Sequence, residues 1–285
     1  MAAEQGPPPR DPASSPPRPA KTRLDRLVVE RGLAPSRERA QALILAGRVI
    51  VDGRPAGKPG GTVPGDAAIA LLAPDHPFVG RGGLKLEGAL TRLGVDPHGL
   101  VALDVGASTG GFTDCLLKRG ARRVYALDVG TGQLDWSLRR DPRVVTMEGR
   151  NARHLRPEDL PEPVDLAVVD VSFISLALVL PPLRPLVKTG GTVLALVKPQ
   201  FEVGRRDVGK GGIVRDPALH RGAVASVARS AAAAGYALLG GCRSPLPGAE
   251  GNVEFFLLLG PGPRAGAAGD AEALARSIVD EERGA

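Results

Sequence analysis

The sequence is poor in the residues that would place it in a disulfide-rich or a membrane-spanning class. Only two cysteines occur among its 285 residues, too few for a disulfide framework and without the paired spacing of a zinc site. The first twenty residues hold no apolar stretch, and no run reaches the roughly 18 apolar residues of a membrane span. The longest candidate run is interrupted by Pro181, Pro182, Arg184 and Pro185. We therefore expect no metal site, no membrane segment and a cytoplasmic location.

The overall composition favours two unequal domains and a negatively charged partner. With 43% apolar residues, a chain of this length can bury one large core or two smaller ones. The net charge of +6 suits a polyanion. Residues 1–20 are rich in Pro, Ala and Ser, so we expect a disordered tail there.

Residues 21–75 predict a small α+β domain. Apolar residues at helical spacing indicate a first helix, and Ser36 can cap a second helix that stops at Gly47. Residues 48–53 are typical of a short strand and tight turn, and another strand is predicted at 68–72. A linker follows at 76–98, with a helix that carries Lys85.

Residues 99–262 predict an α/β domain with a mostly parallel sheet. Near-continuous apolar strands alternate with helices, as in sheets covered on both faces. The predicted strands are 101–105, 123–129, 144–148, 165–171 and 192–198, and the predicted helices are 112–118, 132–139, 176–186 and 217–234. The last two strands, 236–242 and 252–259, have no helix between them and should pair antiparallel. This ending is typical of a class I, Rossmann-like methyltransferase sheet, and the tail at 263–285 can form a helix over 271–282.

The turn after the first strand of this sheet is a candidate cofactor loop. It follows an apolar strand and opens a helix, where glycines let the backbone approach a ligand closely. Ser108 replaces the second glycine of a dinucleotide fingerprint, whereas Asp104 before Gly106 is the acidic-glycine pattern of S-adenosyl-L-methionine sites. The alternative is a simple tight turn. The candidate contacts in this loop are Asp104, Gly106, Ser108, Thr109, Gly110, Gly111 and Phe112.

Polar residues also follow the next three strands. Asp128 ends the second strand, where a carboxylate can bind ribose hydroxyls, although it can also cap the next helix. Asn151 and Asp170 follow the third and fourth strands and add candidate cofactor contacts. A plain helix N-cap is the alternative for Asn151.

Four ionisable residues form the candidate catalytic set: Lys85, Asp170, Lys198 and Glu254. Two lysines and two carboxylates at one sheet edge suit methylation of a weakly acidic hydroxyl, because ammonium groups stabilise the oxyanion that develops. Asp170 can keep Lys198 charged, and Glu254, at the start of an antiparallel strand, can orient Lys85 or the hydroxyl. Taken singly, Lys85 also fits an exposed helix residue, and Lys198 or Glu254 fits half of a plain ion pair.

Motifs across residues 21–260 resemble those of a known family. Those of the first domain, which resemble the S4 RNA-binding domain, are Arg23-Leu-Asp-Arg-Leu, Ala46-Gly-Arg-Val and Val51-Asp-Gly. Those of the second are Arg81-Gly-Gly-Leu-Lys, Asp170-Val-Ser-Phe-Ile-Ser, Val197-Lys-Pro-Gln-Phe-Glu and Asn252-Val-Glu-Phe. Together they resemble the TlyA family, or haemolysin A proteins, whose catalytic half is FtsJ-like. The resemblance implies a Lys-Asp-Lys-Glu tetrad on the four residues above, S-adenosylmethionine as cofactor, and cytidine 2'-hydroxyls of ribosomal RNA as substrate.

The first domain carries the predicted RNA contacts. Nine basic residues outnumber four acidic ones between residues 21 and 60. The candidate contacts with RNA phosphates are Arg23, Arg37, Arg39, Arg48 and, beyond this domain, Arg81. A solvated basic surface is the alternative. Since no aromatic residue occurs in this domain, we expect recognition of folded RNA by its shape and phosphates.

Three other functions compete with this interpretation. A membrane-active haemolysin would need an amphipathic or spanning segment, a small-metabolite methyltransferase would not need an S4-like domain, and a non-catalytic RNA-binding protein would leave the four ionisable residues unexplained. The loop 202–215, rich in glycine and basic residues, is predicted to be a lid on the RNA side or else a surface loop. We expect a monomer that binds ribosomal RNA or ribosomal subunits.

Overall fold

The computed structural model describes residues 20–34, 36–45, 47–72, 76–204, 206–248, 250–262 and 271–280. The chain divides at residue 76 into two compact units. Nearly all of the predicted N-terminal tail lies outside the described residues, as do 263–270 and 281–285 of the predicted C-terminal tail.

The first unit combines two helices with short antiparallel strands. The helices are α1 (Leu24–Glu30) and α2 (Arg37–Leu45), and the strands are β1 (Lys21–Arg23), β2 (Val49–Val51), β3 (Arg54–Pro55), β4 (Thr62–Pro64) and β5 (Ile69–Leu71). The strands form two sheets, of order β1-β4 and β3-β2-β5. Apolar residues of both helices and β2 form the core: Leu24, Val28, Ala40, Leu43, Ile44 and Val49.

The predicted ends of α2 match the structure. The Ser36 hydroxyl accepts a hydrogen bond from the Arg39 amide at 3.2 Å, and the chain turns at Gly47 with φ of +68°, a conformation that favours glycine. The sequence does not predict β1 and β4, because Lys21–Arg23 contains no apolar residue and Thr62–Pro64 lies in a stretch rich in glycine and proline.

The second unit is built on a seven-stranded sheet. Its strands are β6 (Val101–Val105), β7 (Arg123–Asp128), β8 (Val144–Glu148), β9 (Val164–Val169), β10 (Val187–Val197), β11 (Tyr236–Arg243) and β12 (Phe255–Pro261). Their order is β11-β12-β10-β9-β6-β7-β8. Strand β12 runs antiparallel to both β10 and β11, and the other pairs are parallel. The predicted class I methyltransferase sheet with an antiparallel last strand is confirmed.

Helices cover both faces of this sheet. They are α3 (Gly82–Leu93), α4 (Gly111–Lys118), α5 (Trp136–Arg139), α6 (Leu180–Leu183), α7 (Pro199–Glu202), α8 (Pro217–Ala233) and α9 (Ala271–Asp280), with 3-10 turns at Ala152–His154, Pro157–Asp159, Leu176–Leu178, Arg184–Leu186 and Lys210–Gly212. Alternate residues of β6 face the two layers: Val101, Leu103 and Val105 belong to the core on the side of α6, α8 and α9, and Ala102 belongs to the core on the side of α3 and α4. In the described part of the chain, no helix has both the length and the apolarity that crossing a membrane requires.

Several predicted boundaries were wrong for identifiable reasons. The helix predicted at 176–186 is divided into α6 and two 3-10 turns, because Pro181, Pro182 and Pro185 cannot donate helical hydrogen bonds. The helix predicted from residue 132 begins only at Trp136, where the Asp135 carboxylate caps it. The last strand starts at Phe255 rather than Asn252, so Glu254 precedes the strand.

Candidate functional site

Two glycines fix the shape of the turn between β6 and α4. Gly106 has φ of +87°, and a Cβ there would lie 2.4 Å from the carbonyl oxygen of Asp170. Gly110 has φ of +96°, and its Cβ would lie 2.2 Å from a methyl group of Leu138. Larger residues would be strained at both positions, so the turn requires glycine where it approaches the end of β9 and where it approaches Leu138 of α5.

A cavity of about 480 Å³ opens beside this turn; we call it the glycine-loop cavity. It is lined by the ends of β6, β7 and β9 and the segments after them, including Gly106, Ser108, Leu127, Asp128, Val129, Gln133, Asn151, Ala152, Asp170, Ser172, Phe173, Ile174 and Val179. A smaller recess of about 180 Å³ adjoins the same loop and is lined by Arg81, Thr109, Gly111 and Phe112 among others. Predicted cofactor contacts therefore line both spaces.

Backbone amides hold Asp128 at the edge of the glycine-loop cavity. Its two carboxylate oxygens each accept a hydrogen bond of 2.7 Å, one from the Ser108 amide and one from the Gly130 amide. Asn151 also lines the cavity, and its side chain accepts a bond from the Arg153 amide at 3.0 Å. The two interpretations of Asn151 are therefore compatible, since it caps a 3-10 turn and also faces the cavity.

Asp104 and Gly110 do not line either space. Asp104 is fully buried, and one carboxylate oxygen accepts a bond from the Thr113 hydroxyl of α4 at 2.7 Å. The other oxygen has no partner among the described residues. Burial raises the pKa of Asp104 to about 7. The Asp104 side chain faces α4 and lines neither cavity, and its contact with a cofactor stays a prediction.

The four residues of the predicted catalytic set form two lysine–carboxylate pairs. Nζ of Lys198 lies 2.6 Å from Oδ1 of Asp170, and Nζ of Lys85 lies 2.6 Å from Oε2 of Glu254. The sheet register places Lys198 beside Glu254, because Val197 of β10 pairs with Phe255 of β12. Lys198 and Glu254 are the next residues at the same edge.

All four side chains are largely shielded from solvent. The exposed fractions are 11% for Lys198, 22% for Asp170, 12% for Lys85 and 3% for Glu254. Burial raises the pKa of Glu254, while the neighbouring Lys85 ammonium opposes the shift. Charges in such a setting interact more strongly than on an open surface, so each carboxylate holds the lysine beside it in a defined orientation.

Both lysines line a second cavity of about 440 Å³, which we call the lysine cavity. Its walls are Lys85, Ser172, Phe173, Lys198, Gln200, Phe201, Val208, Gly212, Glu250 and Glu254. It shares Ser172 and Phe173 with the glycine-loop cavity. Lys198 lies next to the place where the two cavities adjoin, because it contacts Asp170 and Ser172 of the glycine-loop cavity, whereas Lys85 lines the lysine cavity alone.

Sequence reasoning did not single out Ser172, Phe173 or Phe201. The Ser172 hydroxyl accepts a hydrogen bond from Nζ of Lys198 at 2.9 Å. Phe173 is 91% exposed, has φ of +64° and lies 5.0 Å from Phe201 between ring centroids. The sequence did contain a signal for the two aromatic residues, since both belong to the motifs quoted above and aromatic residues make up only 3% of the chain.

The loop predicted to be a lid is anchored at its far end. The Asn252 side chain accepts a bond from the Val214 amide and donates one to the Gly212 carbonyl, each 2.9 Å long. At its start, the Glu202 carboxylate accepts bonds from the Ser175 hydroxyl and the Leu176 amide. The segment between these anchors contributes Val208 to the lysine cavity.

The arginines of the first unit that are predicted to contact RNA differ in the groups that they contact within the protein. Arg23 and Arg37 both contact the Asp25 carboxylate, and Arg48 donates to the Leu72 carbonyl at 3.0 Å. Arg39 lies in the first turn of α2. In the second unit, Arg81 directly precedes α3 and lines the smaller recess beside the glycine loop.

The sheet, with its glycine turn and the polar ends of its strands, is that of a class I methyltransferase. Residues 78–261 match the FtsJ-like methyltransferase family, and residues 22–69 match the S4 domain. Over 240 residues the chain is 51% identical to the 16S/23S rRNA (cytidine-2'-O)-methyltransferase TlyA of Mycobacterium tuberculosis, covering 84% of this chain and 90% of that protein. The chain belongs to the TlyA family.

Two further relatives extend this similarity. YqxC of Bacillus subtilis is 48% identical over 240 residues, which are 84% of this chain and 85% of that protein. A solved structure from Streptococcus thermophilus, of a protein named as a hemolysin, superimposes with a TM-score of 0.70 at 40% identity, covering 92% of this chain and 97% of that one. The similarity therefore extends over both units.

Proposed function

We propose that this protein transfers a methyl group from S-adenosylmethionine to the 2'-hydroxyl of cytidine in ribosomal RNA. The observation that carries the proposal is the pair of ordered lysines, Lys85 and Lys198, which line the lysine cavity beside the adjoining glycine-loop cavity. Methyl donor and acceptor must meet at such a junction. The cytidine and ribosomal RNA specificity follows from the similarity to TlyA.

The glycine-loop cavity fits a nucleoside-type methyl donor. Its volume lies within the usual range of small-molecule sites, about 300–1,000 Å³. Asp128 can bind a ribose diol, since its amide bonds fix the carboxylate at the cavity edge. Apolar side chains such as Val129 and Ile174 can cover a purine ring. Asp170 lines the same cavity and contacts Lys198, which lines the lysine cavity. When bound there, the cofactor supplies a methyl group activated by a positively charged sulfur.

The lysine cavity fits the acceptor ribose. As the 2'-oxygen bonds to the methyl carbon, its proton passes to solvent water, and the ammonium groups of Lys198 and Lys85 stabilise the negative charge that develops on oxygen. Asp170 contacts and orients Lys198, and Glu254 orients Lys85. The exposed ring of Phe173 offers a surface on which a base of unpaired RNA can stack.

The S4 unit supplies the electrostatic part of RNA binding. Its arginines can contact phosphates without reading the base sequence. We propose that the protein acts as a monomer on ribosomal RNA or ribosomal subunits in the cytoplasm.

Transfer of radiolabelled methyl groups tests the proposal. The full-length chain is incubated with labelled S-adenosylmethionine and isolated ribosomal subunits, and Lys198→Ala serves as the matched control. We expect label in ribosomal RNA at cytidine riboses with the wild-type chain and at least a hundredfold less with the variant. Label in protein, in a small molecule or at a base, or equal label with both chains, would contradict the proposal.

A further inference from the structure

A buried carboxylate lies between two of the predicted RNA-binding arginines of the S4 unit. Asp25, near the start of α1, is fully buried. One of its oxygens accepts a bond from Nε of Arg23 at 3.1 Å. The other accepts bonds from Nη2 of Arg23 at 2.8 Å, from Nε of Arg37 at 3.0 Å and from Nε2 of Gln41 at 2.8 Å. Asp25 therefore joins side chains from β1 and α2 at one point.

This carboxylate stays ionised and is outnumbered by positive charge. Its bonds with Arg23, and further bonds with Gln41 and Arg37, hold the pKa of Asp25 far below its usual range despite burial. The two arginine side chains remain 47% and 53% exposed. One buried negative charge thus anchors two guanidinium groups that still face solvent, so the cluster presents a net positive surface.

The geometry of the cluster leaves donors available beyond the carboxylate. Arg37 contacts Asp25 through Nε, and its two terminal nitrogens are not used in that contact. The turn before β4 passes close to the other guanidinium, since a Cβ at Gly60 would lie 3.3 Å from Nη2 of Arg23. That turn is tied to α1 by the Leu24 amide, which donates to the Gly61 carbonyl at 2.8 Å. The Arg23 guanidinium therefore lies between the Asp25 carboxylate and this turn.

We propose that Asp25 is a positioning residue that holds Arg23 and Arg37 as a preformed pair for an RNA phosphate. The inference rests on the proposed function, because it takes RNA as the substrate. A free arginine side chain loses much rotamer freedom when it binds, whereas a side chain already held by Asp25 has lost part of that freedom before the RNA arrives. Guanidinium groups also match phosphate oxygens in geometry.

If the proposal is right, removing Asp25 changes RNA affinity in the direction opposite to the one that net charge alone would give. Removing a negative charge from a basic surface should strengthen binding to a polyanion if charge alone mattered. Removing Asp25 should instead weaken it, because the two arginines lose their common anchor. Asp66 is the matched control, since it is an exposed acid of the same unit and its replacement changes the net charge by the same amount.

The experiment compares Asp25→Asn with Asp66→Asn in the full-length chain. RNA affinity is measured directly with ribosomal RNA at several salt concentrations, beside kcat, KM for RNA and affinity for S-adenosylmethionine. For Asp25→Asn we expect about tenfold weaker RNA binding, a matching rise in KM, and unchanged kcat at saturating RNA and cofactor affinity. Asp66→Asn should bind RNA as tightly as the wild type or slightly more tightly.

Two further variants separate positioning from folding. In a chain that already carries Arg23→Met and Arg37→Met, Asp25→Asn should cause no further loss of RNA affinity. Gln41→Leu removes one anchor of the carboxylate without changing charge and should weaken RNA binding a few-fold, which keeps the proposal testable if Asp25→Asn unfolds the unit. Hydrogen exchange of the α1 and α2 amides reports whether each variant is folded.

The role of Asp25 and the proposed function are contradicted by different results. Unchanged or tighter RNA binding by a folded Asp25→Asn chain, or a further loss in the double-methionine background, would overturn the positioning role. A wild-type chain that binds RNA but transfers no methyl group to it would instead refute the proposed function, and the binding comparison would still decide the role of Asp25.

Discussion

Lys85 and Glu254 are 169 residues apart in the chain, yet their side chains form a hydrogen bond of 2.6 Å. The contact brings the helix that precedes the sheet to the start of the antiparallel last strand. Glu254 is almost fully buried, so removing Lys85 would leave an unpaired carboxylate in the protein interior, which is costly. Substitutions at this pair must therefore be tested for folding as well as for turnover.

Lys198→Arg should keep the charge but lose the reaction. A planar guanidinium cannot take the place of a compact ammonium that already contacts Asp170 and Ser172. If Lys198 acts mainly in the transition state, turnover should fall at least about a hundredfold, or about 2.7 kcal/mol, while the affinities for cofactor and RNA change little. Single-turnover methylation beside equilibrium binding checks this. A variant that loses RNA affinity but methylates normally at saturating RNA would make Lys198 a phosphate contact.

The two lysines should not act independently. If Lys85 and Lys198 stabilise the same oxyanion, the loss in Lys85→Ala/Lys198→Ala should be much smaller than the sum of the two single losses. Rates are compared at saturating RNA and cofactor. Additive losses would assign the lysines to separate steps.

The sequence predicts which residues form the catalytic set better than it predicts the side-chain orientations in the segments that follow β6 and β9. Lys198 and Glu254 could be placed together because antiparallel pairing of the last strand follows from the missing helix before it. The orientation of Asp104 could not be predicted, because whether a strand-end side chain faces the ligand or α4 depends on alternation along β6 and on Thr113. The exposed Phe173 was also missed, since a left-handed backbone at a non-glycine residue leaves no pattern in the sequence.

Asp128→Ala should weaken binding of S-adenosylmethionine by roughly 1 to 3 kcal/mol, because charge-assisted hydrogen bonds to the ribose are lost. The Ser108 and Gly130 amides lose their acceptor as well, so the loop itself has to be examined. Asp128→Asn is the informative companion, since it keeps one acceptor oxygen. Calorimetric titration measures both variants, and unchanged affinity in Asp128→Ala would remove this residue from the cofactor site.

Asp165 should stabilise the catalytic unit in a pH-dependent way. Burial alone would raise its pKa, but bonds from Lys188 and from the Val101 amide outweigh burial and keep the pKa below its usual value. An acid whose pKa is lowered by folding contributes stability above its unfolded pKa, about 3.9, and loses that contribution as the pH falls through the folded value.

Asp165→Asn should therefore lower the free energy of unfolding by about 1 kcal/mol at pH 7, with partial solvent exposure limiting the effect. The difference from the wild type should shrink as the pH falls below 4. Trp136 is the single tryptophan, so its fluorescence during denaturant unfolding reports on the catalytic unit alone. Glu158→Gln, at an exposed acid, is the control and should show no such difference. A pH-independent loss in Asp165→Asn would mean that packing, and not the ionised carboxylate, explains the effect.

Deleting residues 1–75 should separate cofactor binding from RNA methylation. The catalytic unit has its own core and both cavities, so the truncated chain should fold and bind S-adenosylmethionine with the affinity of the full-length protein. The basic S4 unit is lost, and with it the phosphate contacts that contribute much of the affinity for RNA and make it dependent on salt. Methylation at low RNA concentration should fall sharply, and the dependence of KM on salt should become shallower. Full activity of the truncated chain at low RNA concentration would show that the catalytic unit finds its substrate without the S4 unit.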